Sequence, residues 1–134
     1  MNITTFDDLL KAARQQPEPQ RLLLVFASAS LPDDASPEQR ARFEAGESGE
    51  LAPVMCVDKD PATLAGFAAL SAEAATMGAD WALVFAAALA GPAGSVPTPA
   101  AVESALQRMV ESVKAGTVQG YIPFDREGHA VHLA

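Results

Sequence analysis

One cysteine, Cys56, stands in 134 residues. That excludes an internal disulfide framework, a Cys-x-x-Cys redox pair and a thiolate zinc cluster, and it fits a reducing compartment. Aromatic residues are sparse, with one Trp, one Tyr and six Phe. Cations are few as well: nine Lys and Arg face seventeen Asp and Glu, for a formal charge of -8. Such a chain repels phosphate backbones unless it gathers a basic patch. Arg14, Arg21, Arg40 and Arg42 are dispersed, with acids beside most of them, so no nucleic-acid partner is expected. The N-terminal stretch has no basic region followed by an apolar run, which argues against a secretory signal. The longest apolar run, Trp81 to Ala90, is too short to cross a bilayer. A cytoplasmic protein without membrane association is the expectation.

Motifs that carry chemistry are equally scarce. The glycine-bearing loops at Gly46–Gly49, Gly91–Gly94 and Gly116–Gly120 lack the spacing of a phosphate-binding fingerprint. His129 and His132 are three apart on an expected strand, so they point to opposite faces and do not share a metal. No serine lies in a nucleophile-elbow sequence. The pattern therefore predicts no cofactor, no metal and no catalytic set.

What the chain does contain is alternating helical and strand-like periodicity in an apolar background, 49% of residues. Thr4 or Thr5 caps a first helix, with Asp7 and Asp8 in its first turn and Phe6, Leu9, Leu10 and Ala13 on one face. Arg21 to Ser30 reads as a strand covered on both sides. Ser36, Pro37 and Gln39 form a capping box for a second helix that stops near Gly46. Pro53 opens a strand, Val54 to Asp58, and Asp60-Pro61 opens a helix reaching about Met77. Asp80 to Leu89 reads as a third covered strand. Thr98-Pro99 begins the best-patterned helix, with Val102, Leu106, Met109, Val110 and Val113 on one face. Two final strands flank Asp125–Gly128 as a hairpin.

This order predicts a single α/β domain over residues 1–134. It has one mixed sheet with parallel central strands, about four helices and a C-terminal antiparallel β-hairpin. Parallel strands would place a ligand crevice at their carboxyl ends. Ser28, Ser30, Cys56, Asp58 and Lys59 are the candidates to line it. A nucleophilic cysteine also needs a nearby cation or helix N-terminus and access to solvent. Between Met55 and Val57 in a covered strand, Cys56 reads first as a buried structural thiol.

Leu22 to Ser30, Pro32–Ala35 with Glu38–Glu44, and Pro53 to Lys59 together resemble a family of small bacterial proteins often labelled "ribonucleotide reductase subunit alpha". The likeness runs from Phe6 to the final hairpin. The reductase label implies a thiyl-radical cysteine, a reducing cysteine pair and a large barrel. One cysteine in 134 residues supplies none of these, so the resemblance brings no activity and no site residue with it. The leading functional expectation is a non-enzymatic module that binds a partner protein or itself as a homodimer. It would use the open edge of the hairpin or the region of Trp81. The alternative is small-molecule or thiol chemistry around Cys56.

Overall fold

The computed structural model describes residues 3–30, 34, 36–44, 50–78 and 80–132. Helix α1 (Phe6–Arg14) begins where Thr5 and Asp8 close a capping box. The Thr5 hydroxyl accepts from the Asp8 N–H at 3.2 Å, and the Asp8 carboxylate accepts from the Thr5 N–H at 3.1 Å. Strand β1 (Gln20–Ser30) follows, then helix α2 (Pro37–Glu44) and strand β2 (Glu50–Lys59). The expected box holds α2: Ser36 N–H donates to the Gln39 side chain at 2.7 Å and Ser36 Oγ accepts from Gln39 N–H at 3.2 Å. The expected stop at Gly46 and the polar turn after it lie outside the described residues.

Helix α3 (Phe67–Thr76) starts six residues later than the Asp60-Pro61 signal suggests. Asp60 instead caps a turn, its carboxylate accepting from Ala62 N–H at 2.9 Å. The cap of α3 comes from another element: Asp7 of α1 accepts the Phe67 N–H at 2.9 Å. Strand β3 (Leu83–Ala90), helix α4 (Pro99–Ala115) and the short strand β4 (Ile122–Phe124) complete the order. Thr98 caps α4 and Gly116 ends it in the left-handed conformation.

Among the described residues the sheet has four strands in the order β2-β1-β3-β4, and every pairing is antiparallel. This overturns the expected parallel centre. β2 and β3, joined through α3, do run in the same direction, but β1 lies between them, so no two neighbours are parallel. The apolar run of β1 is covered on both faces, as its composition implies. Coverage sets the run, however, and direction does not. α1 and α3 cover one face and α4 covers the other.

Leu22, Leu24 and Phe26 point toward α1 and α3 and join Phe6, Phe67, Leu70, Trp81 and Phe124. Aromatic rings meet there edge-on, with centroids 5.0 Å apart for Phe26–Trp81 and 5.5 Å for Phe6–Phe124, the geometry that ring quadrupoles favour. Leu23, Val25 and Ala27 point the other way, onto Val102, Ala105, Met109 and Val113 of α4.

The turn Asp125–Gly128 forms as the sequence suggests. Asp125 Oδ1 accepts from the N–H groups of Glu127 and His129, both at 2.9 Å. The arm that follows it does not leave an open edge. Ala130 bridges Phe124 on one side, while on the other His129 bridges Thr5 and the Ala130 N–H donates to the Thr4 carbonyl at 2.8 Å. Trp81 is no surface feature either: it is 4% exposed. Arg126 lies over its ring at 5.3 Å and donates to its carbonyl. Among the described residues no helix is long and apolar enough to cross a membrane.

Candidate functional site

The long edge of the sheet is β2, and a bulge decides what it presents. Phe26 pairs with Met55 and Ala27 pairs with Pro53, so Val54 is an extra residue in the ladder. Strand side chains alternate between faces, and one inserted residue resets that alternation. Before the bulge, Leu51 and Pro53 lie opposite Ala29 and Ala27, on the face that α4 covers. After it, Cys56 and Asp58 lie opposite Val25 and Leu23, on that same face. Were Val54 paired in a regular ladder instead, the two sets would be split between faces.

Pro53 also sits where a missing N–H costs nothing. The Ala82 N–H donates to the Ala27 carbonyl at 2.9 Å, so Ala27 directs its backbone toward β3. Its partner Pro53 therefore turns its own backbone outward, the edge position where proline is tolerated.

Between this edge and α4 lies a groove of about 790 Å³. Its apolar lining comes from Val96 and Pro97 of the loop before α4, and from Pro99, Val102, Leu106 and Val110 of the helix. α4 packs across β1 and β2 with Val102, Ala105, Met109 and Val113 as its buried line. Leu106 and Val110 fall beside that line and stay half-buried. Val96 is 61% exposed at the groove's lip, and Val54 is 42% exposed on the strand.

Among the described residues the charged lining consists of Arg21, Asp58, Glu103 and Glu111. Arg21 spends its charge locally, since Nε and Nη2 both donate to Asp58 Oδ2. The pair is partly exposed, which makes its net contribution small, up to about 1 kcal/mol. Glu103 and Glu111 are both exposed.

The five residues singled out from the sequence separate in space. Cys56 and Asp58 line the groove together, and Cys56 is exposed, against the expectation of a buried thiol. It is accessible because β2 is an edge strand. Lys59, opposite Leu22, points to the α3 side and binds Glu73 at 2.6 Å. Ser28 and Ser30 pair with Ala52 and Glu50 at the far end of the ladder. Six residues of strand separate Ser28 from Leu22, the neighbour of Lys59, which is roughly 20 Å at 3.3 Å per residue. An antiparallel partner reverses strand ends, so the carboxyl ends of β1 and β2 do not share one crevice.

Sequence reasoning missed Val96, Leu106, Val110, Glu103 and Glu111 as groove residues. A signal was present: Leu106 and Val110, four apart, widen the apolar stripe of α4 beyond the Val102, Met109 and Val113 line. The described residues hold no group of three or more His, Cys, Asp and Glu side chains arranged for a metal ion. Compared with family models, with curated proteins and with solved structures, the chain matches none.

Proposed function

We propose that the chain is a non-enzymatic interaction module of the cytoplasm, presenting the groove between β2 and α4 to a protein chain. The observation that carries this reading is the groove itself. It is a long apolar trough whose lining residues Leu106 and Val110 are incompletely covered and whose lip residue Val96 is exposed. Exposed apolar surface rimmed by polar groups is the usual mark of a binding face. The edge strand beside it adds outward backbone groups on either side of Pro53. The bulge and the proline limit how far another strand could pair there, so side-chain contacts in the groove dominate.

The test is substitution of residues that the fold does not need. Val54→Ser and Val96→Ser together remove exposed apolar contacts without opening the core. The expected outcome is unchanged thermal unfolding and at least a tenfold loss of association, read by light scattering for self-association and by quantitative pull-down for a partner. A strict monomer from which no partner is recovered would sink the reading.

One observation favours a second reading, in which the groove holds a small molecule or a reactive thiol. Cys56 is exposed within it, beside the Arg21–Asp58 pair. Thiol labelling of the native protein at neutral pH addresses this directly. A Cys56 that reacts only after denaturation eliminates thiol chemistry.

A further inference from the structure

We propose that the β2–α4 groove takes a basic amphipathic segment of a partner protein, an inference that rests on the interaction-module reading above. Among the described residues, three of the four charged side chains lining the groove are acids, and the cation among them, Arg21, is already bonded to one of the acids. These described residues thus give the groove an excess of two negative charges around an apolar floor. On α4 the charges divide by side. Glu103 and Glu111 border the groove, whereas Arg108 lies elsewhere on the helix and donates to Ser104 at 2.9 Å. Lys114, not part of the lining, is 3.6 Å from Glu111 in an exposed pair, too weak a contact to cancel that charge.

The floor selects apolar anchors and the rim selects cations. From Pro97 to Glu111 the lining follows about fourteen residues of chain, roughly 20 Å of helix at 1.5 Å per residue. That is the reach of three to four helical turns in a partner, with anchors at helical spacing. A second copy of the chain is the poorer occupant. It carries the same charge of -8, and a twofold contact through this face sets Glu103 and Glu111 near their own copies, where like charges are costly.

Cys56, the sole thiol, lies in the groove and reports its occupancy. The experiment uses the full chain at low ionic strength and three synthetic peptides of about fourteen residues. One is a Leu/Lys amphipathic peptide, one replaces every Lys with Glu, and one scrambles the Leu/Lys order. The readout is the rate at which an aromatic disulfide reagent labels Cys56. Backbone amide shifts for Val54–Asp58 and Pro97–Glu111 locate the binding.

The ordered basic peptide is expected to slow labelling roughly tenfold when present at ten times its dissociation constant. The acidic and scrambled peptides leave the rate within about twofold. Glu103→Lys with Glu111→Lys removes the protection without lowering the melting temperature, because both side chains are exposed.

Protection by the acidic peptide, or equal protection by the scrambled one, overturns the inference and leaves the interaction-module reading standing. Protection that grows with protein concentration alone, with no peptide, makes a second copy the occupant and also overturns it. No protection from any peptide, in a protein that light scattering finds strictly monomeric and that captures no partner, removes both the inference and the reading beneath it.

Discussion

Gly128 sits at a junction where three elements meet within a few ångströms. Its φ is +82° and a Cβ built there would lie 2.8 Å from the Phe67 ring. Its carbonyl accepts the Phe6 N–H at 2.7 Å. Gly128→Ala therefore adds overpacking against a core ring to left-handed backbone strain, and the expected loss is about 2–4 kcal/mol. Gly116, with φ +76° and nothing within 4 Å of a built Cβ, incurs the backbone term alone. Gly116→Ala should cost about 1 kcal/mol. Urea unfolding of the two variants separates the effects, and equal losses would contradict the ring contact.

Asp8 offers a second residue-scale test. The Thr4 N–H, the Thr4 hydroxyl and the Thr5 N–H all donate to its carboxylate. Those bonds, the Thr4 N–H foremost, hold its pKa below the usual carboxylate value. A depressed folded pKa gives stability that is complete above the ordinary value, about 3.9, and fades as the pH falls through the lower one. Wild type should melt above Asp8→Asn at pH 6, and the gap should narrow steadily below pH 4. A gap that is constant down to pH 2 would assign the difference to something other than the charge.

Single elements show where local sequence information stops. Capping signals for α1, α2 and α4 were readable because each lies within three residues of the helix it starts. The start of α3 was not, since its cap is Asp7, sixty residues away in sequence. Strand direction was misread for a related reason. The apolar content of β1 records that both faces are covered, and antiparallel strands under two helical layers satisfy that as well as parallel ones do. The groove was half legible. Cys56 and Asp58 were seen, but joining them to α4 requires knowing that Val54 is an extra residue in β2.

That bulge makes its own prediction. Deleting Val54 lets Pro53 and Met55 follow each other in a regular ladder, with every other residue kept on its present face. The variant should fold, with its core melting within a few degrees of wild type. Its straightened edge should associate more readily, because bulges are one means of blunting an edge strand. Static light scattering against concentration checks it. A deletion that unfolds the protein would mean Val54 is not the inserted residue.

Across the whole molecule, charge imposes two opposite responses to salt. Seventeen acids against nine cations repel one another most at low ionic strength, where the screening length is about 30 Å at 0.01 M, and far less at 0.15 M, where it is about 8 Å. Screening also weakens the favourable pairs, Arg21–Asp58, Lys59–Glu73, Glu111–Lys114 and Asp80–Arg126. Exposed pairs of this kind give roughly 0–1 kcal/mol each, and much of that survives at contact distance. The repulsion is spread over the surface at separations that salt screens well. Repulsion should dominate the balance, so the melting temperature is expected to rise between 0.01 M and 0.15 M sodium chloride. Binding of a basic segment should weaken over the same interval, since the attraction it uses is screened by the same ions. Differential scanning calorimetry and a peptide titration on one protein stock give both slopes. A melting temperature that falls with salt would show that the ion pairs outweigh the net charge. A peptide affinity indifferent to salt would show that the groove holds its occupant by the apolar floor formed by Val102, Leu106 and Val110, with Glu103 and Glu111 playing no part.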